Sequence, residues 1–329
     1  MTSDFHLISC DWGTSAFRLR LLKGRERPRF LAERSSSRGI LTFPGADAGE
    51  FQNYLIMELD RLFRSAKLSP ESFPIYLSGM ITSTLGWKEL PYANLPFPLD
   101  GSGAIVEQMN LQRVYGTHEL IFWSGLKSDD DVLRGEETEL VGIHRQSDLM
   151  GWSSGYVAVL PGTHSKVIEV LNGTVLRFRT YLTGELFQVL RQHSILKHSL
   201  SEEMKPEEGA HEFFELGVRR AAEAGLLESL FTVRTNVLLK AIPREANTHY
   251  LSGLLIGTEV RSILSQFPAS TPILLCGSRA LQELYERTFQ VLGESFRVHS
   301  VPEEISSVAA SLGHWSLRSV VDTRVRHGG

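Results

Sequence analysis

Apolar and polar residues along 7–22 fall into two runs separated by Asp11-Trp12-Gly13-Thr14-Ser15. Phe17, Leu19 and Leu21 alternate with Arg18 and Arg20, the period of a half-buried strand, so the segment reads as strand, tight turn, strand. The layout recurs at 156–170: an apolar run, a turn at Gly162-Thr163, then Val167, Ile168 and Val170 in a second alternating run. Gly13 and Gly162 lie nearly half the chain apart, and self-similarity at that spacing predicts two like domains. Between them, Tyr54, Leu55, Met57, Leu59, Leu62 and Phe63 give 51–68 the stripe of an amphipathic helix. Residues 74–80 and 120–126 read as strands. Pro91, Pro96 and Pro98 make 90–99 an extended loop. A helix begins at 135–142, with Glu136, Glu137 and Glu139 in the first turn, where acids suit the helix dipole.

The polar stretch 146–155 contains Gly and Ser, and the domain boundary is placed there, giving domains 1–150 and 151–329. Past it, Asn172-Gly173 marks a hairpin in a strand meander. Residues 184–239 are mostly helical in pattern. A strand over 272–276 enters the turn Gly277-Ser278 and a helix over 280–292. A last helix spans about 302–312, and 324–329 are expected to fray.

With 329 residues there is room for two cores. The net charge of −4 carries no basic patch for nucleic acid. No apolar run approaches the roughly 20 residues of a membrane helix. Residues 1–6 lack the basic start of a signal peptide. Cys10 and Cys276 lie in apolar strands, as buried thiols of a reducing cytoplasm would, and no Cys/His spacing suits zinc.

The turns carry the candidate chemistry. Gly13 lets backbone N–H groups converge into a nest for phosphate oxygens, Thr14 and Ser15 add hydroxyls, and Asp11 can hold Mg²⁺ or its water shell. The plain alternative is a Gly-Thr turn beside a solvated aspartate. The second turn, Gly162-Thr163-His164, weighs toward the first reading. Two hairpin turns facing one nucleotide resemble the fold shared by sugar kinases, actin and the large heat-shock ATPases.

The resemblance becomes specific over six segments: Asp11-Trp12-Gly13-Thr14-Ser15; Ser78-Gly79-Met80 with Gly86-Trp87-Lys88 and Pro91-Tyr92; the stretch from Arg134 to Gly142; Leu160-Pro161-Gly162-Thr163-His164-Ser165-Lys166; the stretch from Phe178 to Leu186; and the stretch from Leu251 to Glu259. As a set they resemble the 2-keto-3-deoxygalactonate kinase family. The resemblance implies an α/β fold of two similar domains of the sugar kinase/actin/heat-shock (ribonuclease H-like) type, with a nucleotide cleft between them. It implies ATP and Mg²⁺ as cofactors, a small-molecule sugar acid as substrate, and phosphorylation of its 6-hydroxyl during galactonate breakdown. A cytoplasmic homodimer without nucleic-acid or membrane partners completes the expectation.

On that resemblance Gly13, Thr14, Ser15, Gly162, Thr163 and His164 cradle the phosphates. Lys166 either reaches a phosphate or points to solvent. Pro161 stands where actin-like proteins carry a second aspartate, so the metal rests on Asp11. Read on their own, Glu136, Glu137 and Glu139 are a solvated first turn. The resemblance makes Glu136 the base, kept ionised by the helix N-terminus, with Glu137 in reserve. Arg18, Arg38, Lys88 and Arg134 are cations for the substrate carboxylate. Trp87 either stacks on the sugar or belongs to the core, and Ser78 and Thr82 are hydroxyl partners. Gly277 and Ser278 contact adenosine or simply cap a helix. His144, His193 and His198 read as surface or helix-face residues. The rival readings are a kinase for another sugar acid such as 2-keto-3-deoxygluconate, a nucleotide-switched binding or filament protein, a non-catalytic member of the fold, and a sugar-sensing regulator. The regulator ranks last, because only six residues precede Leu7.

Overall fold

A computed structural model describes residues 4–147, 155–202, 209–293 and 296–327. The chain divides into two compact units, one of residues 1–153, 171–177 and 308–329, the other of 154–170 and 178–307. The expected boundary at 150/151 lies outside the described residues. A single cut there differs from the observed division, because the carboxy-terminal helix and the 171–177 segment cluster with the first unit.

In the first unit, β1 (Phe5–Trp12), β2 (Phe17–Gly24) and β3 (Pro28–Ser36) form an antiparallel meander. Helix α1 (Ala48–Ala66) follows, three residues ahead of the expected start, because Asp47 caps it by accepting from Glu50 N at 3.0 Å. Strand β4 (Ile75–Ser78) then lies parallel to β1. The predicted loop 90–99 contains two-residue strands β5 (Ala93–Asn94) and β6 (Phe97–Pro98). Beyond it come β7 (Val106–Arg113), β8 (Gly116–Trp123), β9 (Leu126–Lys127), β10 (Val132–Leu133) and α2 (Glu136–Ser147). The sheet order is β3-β2-β1-β4-β8-β7, with β1, β4 and β8 parallel.

The second unit repeats the plan. Its elements are β11 (Tyr156–Leu160), β12 (Ser165–Leu171) and β13 (Thr174–Tyr181), of which residues 171–177 cluster with the first unit, then α3 (Thr183–His193), α4 (Ala210–Glu223), α5 (Leu226–Lys240) and α6 (Arg244–Gln266). Next are β14 (Ile273–Leu275), α7 (Arg279–Leu292), β15 (Val298–Ser300) and the short α8 (Glu303–Ser306). The sheet runs β15-β14-β11-β12-β13, with β11, β14 and β15 parallel. Both sheets thus share one order: a hairpin meander, then parallel strands added on the far side of its first strand. This is the ribonuclease H-like α/β class that the resemblance implies. Residues 174–175 of β13, which cluster with the first unit, pair with β6 of that same unit, Val175 with Phe97.

The chain closes with α9 (Ala309–His327), which packs on β1 and α2 in the first unit. It runs well past the expected end at 312. Gly313, just past that expected end, is a contact point: a Cβ there would lie 2.0 Å from Thr138 O, and one at Gly142 would lie 2.0 Å from Ala309 O. The two helices cross backbone to backbone, and glycine permits that approach. No described helix is long and apolar enough to cross a membrane. Cys10 and Cys276 are buried, and neither forms a disulfide.

Candidate active site

The first turn is built by a buried aromatic cluster. Trp12 is wholly buried, with the rings of Phe17, Phe43, Phe51 and Tyr54 at 4.8–5.7 Å. Gly13 N donates to Ala16 O at 2.9 Å, closing the turn. Ile40 N and Leu41 N donate to the carbonyls of Gly13 and Thr14. The turn's carbonyls are therefore committed to 40–41, while the side chains of Thr14 and Ser15 stay exposed.

Behind this turn three backbone segments meet. Asp11 faces Ser78 across the parallel β1–β4 pair. Gly79 follows at φ +87°, and a Cβ on it would lie 2.8 Å from Trp12 O and 3.5 Å from Asp11 Oδ1. A Cβ at Gly135, just before α2, would lie 3.3 Å from Gly79 Cα. Asp11, Ser78 and the first turn of α2 are thereby brought together. Arg18 Nη1 donates to Asp11 Oδ2 at 2.9 Å. Ser78 is wholly buried, and its Oγ has no hydrogen-bond partner among the described residues. Buried hydroxyls are normally satisfied, so this orphan, one residue from Gly79, suits a bound polar group.

The glutamates of α2 divide by environment. Glu136 Oε2 accepts from Arg134 N at 2.9 Å and stays partly exposed. Glu137 is buried; its Oε2 accepts from Gly135 N at 2.6 Å and its Oε1 from Thr138 Oγ1 at 3.0 Å. Burial, with the neighbouring Glu136, pushes Glu137 up to about 8. A solvated first turn is therefore wrong for Glu137. For this residue desolvation also outweighs the helix N-terminus that was expected to keep it ionised. Glu139, absent from the sequence-based site, is pushed to about 8 by burial and then by Asp11, with Arg18 opposing. It is a further member of this carboxylate group.

The four candidate cations differ in what holds them. Arg18 is paired to Asp11, and Lys88 Nζ sits 2.7 Å from Glu107 Oε2. Arg134 donates to Thr82 Oγ1 at 2.7 Å and Leu90 O at 3.0 Å, with its guanidinium 4.1 Å from the Tyr92 ring centre. Thr82 Oγ1 is itself 3.1 Å from the carbonyls of Gly79 and Trp123. It is a framework hydroxyl, not the substrate partner expected. Arg38 lies over Phe43 and Tyr54 at 4.5 and 4.8 Å, and its guanidinium has no carboxylate or hydrogen-bond acceptor among the described residues. Trp87 packs edge-on against Phe122 in the core, at 5.7 Å.

In the second unit, Gly162, Thr163 and His164 are exposed at the β11–β12 turn. Glu185 N donates to Thr163 O at 2.9 Å, and His164 Nε2 pairs with the Glu185 carboxylate. Lys166 is buried, which overturns its solvent-facing alternative. A pocket opens beside this turn, lined among others by Gly162, Thr183, Phe187, Leu255, Leu281 and Tyr285. Gly277 lies close to Pro161 of the same turn. Ser278 occupies the N-cap position of α7, its carbonyl accepting from Gln282 N at 3.0 Å, while its exposed side chain makes no capping bond. Gln282 holds the loop instead, donating to Gly277 O at 3.1 Å and Val301 O at 2.7 Å. His193 and His198 are exposed, as expected.

A family model described as 2-keto-3-deoxy-galactonokinase matches residues 11–311. A 2-dehydro-3-deoxygalactonokinase of Escherichia coli (strain K12) is 32% identical over 290 residues, 87% of this chain and 90% of that protein. A Rhizobium meliloti (strain 1021) protein, named as a probable enzyme of the same kind, is 31% identical over 96% of this chain and 100% of its own length. The crystal structure of a candidate 2-dehydro-3-deoxygalactonokinase from Sinorhizobium meliloti superposes with a TM-score of 0.77 at 28% identity, covering 95% of this chain and 96% of that one.

Proposed function

The chain belongs to the 2-keto-3-deoxy-galactonokinase family and is a kinase, and we propose that it moves the γ-phosphoryl group of ATP to the 6-hydroxyl of 2-keto-3-deoxygalactonate. The product is 2-keto-3-deoxy-6-phosphogalactonate, made in the cytoplasm during galactonate breakdown, by a homodimer. One observation carries this reading. Asp11, the orphaned Ser78 hydroxyl and the acidic first turn of α2 converge beside a hairpin turn with exposed hydroxyls. Phosphoryl transfer asks for that set: a phosphate cradle, a metal carboxylate and a base.

In this reading Gly13, Thr14 and Ser15 bind phosphate oxygens in the first unit, and Gly162, Thr163 and His164 do so in the second. Lys166 backs the second turn. Residues 1–150 carry the sugar-acid site and 151–329 the adenosine site, except that 308–329 belong structurally to the first unit. The pocket beside Gly162 takes the base, with Gly277 and Ser278 at the ribose.

The residues present fit Mg²⁺. No three described carboxylate, histidine or cysteine side chains form a cage. Mg²⁺ keeps several waters and needs only one or two carboxylates besides the phosphates. Asp11 would hold it, with Glu139 close enough to interact electrostatically. Bound there, the ion would supply positive charge to offset that of the phosphates.

Glu136 is the base, because it is partly exposed, whereas Glu137 is buried and protonated at neutral pH. Glu137 fixes the start of α2 through Gly135 N and Thr138. Ser78 donates to a substrate oxygen. Arg38 takes the substrate carboxylate, since Arg18, Lys88 and Arg134 are committed elsewhere. Trp87 supports the wall from the core. The test is a coupled ADP-release assay with Mg-ATP, offering 2-keto-3-deoxygalactonate and 2-keto-3-deoxygluconate in parallel. Turnover selective for the galactonate derivative supports the reading. Preference for the gluconate derivative moves the substrate assignment, and nucleotide binding without turnover on either leaves a non-catalytic member.

A further inference from the structure

Glu259 is a buried carboxylate on α6 that the proposed chemistry does not use. Among the described residues it has no cationic partner. Three hydroxyls surround it instead. Its Oε1 accepts from Ser165 Oγ at 2.6 Å, and its Oε2 accepts from Tyr285 Oη at 2.7 Å and from Thr183 Oγ1. Two of the hydroxyls, those of Thr183 and Tyr285, stand on different walls of the pocket beside the second turn, and the third, Ser165, sits at the start of β12 behind that turn. Ser165 directly follows His164. Thr183 opens α3. Tyr285 belongs to α7, and both Thr183 and Tyr285 line the pocket.

The wall made by α3 is fitted to the turn at close range. A Cβ at Gly184 would lie 2.4 Å from Gly162 O and 2.9 Å from Thr163 Cα. Glu185 N donates to Thr163 O at 2.9 Å. Small displacements of Thr183 therefore reach Gly162 and Thr163 through backbone contacts. An unpaired buried carboxylate is costly, and burial does hold Glu259 above its ordinary range. Three charge-assisted hydrogen bonds offset that cost and fix three directions at once.

We propose that Glu259 is a positioning residue for nucleotide binding: it locks the second Gly-Thr turn, the start of α3 and the Tyr285 wall into the geometry that receives the phosphates and base. This rests on the kinase reading above, and the test separates the two. Mg-ADP is titrated calorimetrically into the full chain and into Glu259→Gln, Thr183→Val and Thr183→Ser, and the same proteins are assayed for the KM of Mg-ATP and of the sugar acid.

Glu259→Gln and Thr183→Val are expected to weaken Mg-ADP and raise the KM for Mg-ATP by about tenfold, the scale of one lost charge-assisted hydrogen bond. The KM of the sugar acid stays near that of the unaltered chain, and Thr183→Ser restores nucleotide affinity. If the unaltered chain does not bind Mg-ADP, the kinase reading fails and takes this inference with it. If it binds while folded Glu259→Gln and Thr183→Val bind equally well, the inference alone is overturned. Should Glu259→Gln not fold, Thr183→Val and Tyr285→Phe decide the same question.

Discussion

Replacing Gly313 by alanine should damage the site from a helix that carries none of its chemistry. A Cβ there would sit 2.0 Å from Thr138 O, 2.9 Å from Thr138 C and 3.0 Å from Thr138 Cγ2. The nearest atoms are backbone, so no side chain can swing away. Ordinary contact begins at 3.4 Å, so α9 and the first turn of α2 must part by more than 1 Å. Overpacking of this kind costs about 1–3 kcal/mol. The gain in helix propensity from glycine to alanine returns about 1 kcal/mol. A net loss of up to about 2 kcal/mol is expected, readable as a lower midpoint in urea unfolding.

The larger effect falls on turnover. Thr138 lies between Glu137 and Glu139 and two residues from Glu136, and a misplacement of 1 Å at reacting groups costs on the order of 10²-fold. Gly24→Ala is the control. Its Cβ would lie 2.3 Å from Arg27 O, at the end of β2 away from Asp11. It should destabilise without changing kcat per folded molecule. If Gly313→Ala is as active per folded molecule as the unaltered protein, the placement of the base on α2 is refuted.

Glu136→Gln keeps the size of the side chain but cannot take the hydroxyl proton; kcat should fall by about 10²-fold or more, and retained turnover in the coupled assay would remove Glu136 as base. Arg38→Ala should raise the KM of the sugar acid about tenfold or more while leaving that of Mg-ATP near its original value, which initial-rate kinetics read directly. His314 is wholly buried on α9 with Nδ1 2.8 Å from Ser9 Oγ, and burial lowers it to about 3. Its folded value lies below the unfolded one, so its contribution to stability is present above about 6.5 and is lost as pH falls toward 3, by up to about 5 kcal/mol. Urea midpoints from pH 7 to 4 should therefore fall less steeply in His314→Gln. Glu137 has the opposite sign: raised to about 8, it favours the folded state below pH 4.5 and loses that contribution as pH rises through 8. Glu137→Gln should unfold at a higher urea concentration than the unaltered protein at pH 9.

The repeated hairpin was legible because an apolar strand, a Gly-Thr turn and an alternating strand recur, with Phe17, Leu19 and Leu21 in one copy and Val167, Ile168 and Val170 in the other. Helix α1 was legible for the same reason, as Phe51, Tyr54, Leu55, Leu59 and Leu62 fall on one buried face. What escaped were elements whose local signal opposes their tertiary setting. Strand β3 is largely exposed and offers no apolar stripe. Gly313, just past the expected end of the last helix, serves a helix crossing.

At the proposed site, Asp11 and Gly13 were singled out because turn chemistry is local, whereas Glu136 was singled out by the family resemblance. Glu139 and Glu259 were not. The first looked like one more acid in a solvated turn, and the second is one acid in a helix whose neighbours are apolar. Lys88 and Arg134 show the converse: a cation at the right place in the sequence finds Glu107, or Thr82 and Leu90, once the chain is folded.

The most direct measurement is of where the phosphoryl group goes. The protein is incubated with Mg-ATP and 2-keto-3-deoxygalactonate, and the product is examined by proton-coupled ³¹P NMR. Transfer to the 6-hydroxyl places phosphorus beside a methylene, and a triplet is predicted alongside ADP. A doublet, from phosphate on a secondary carbon, or inorganic phosphate with no new ester, would contradict the account.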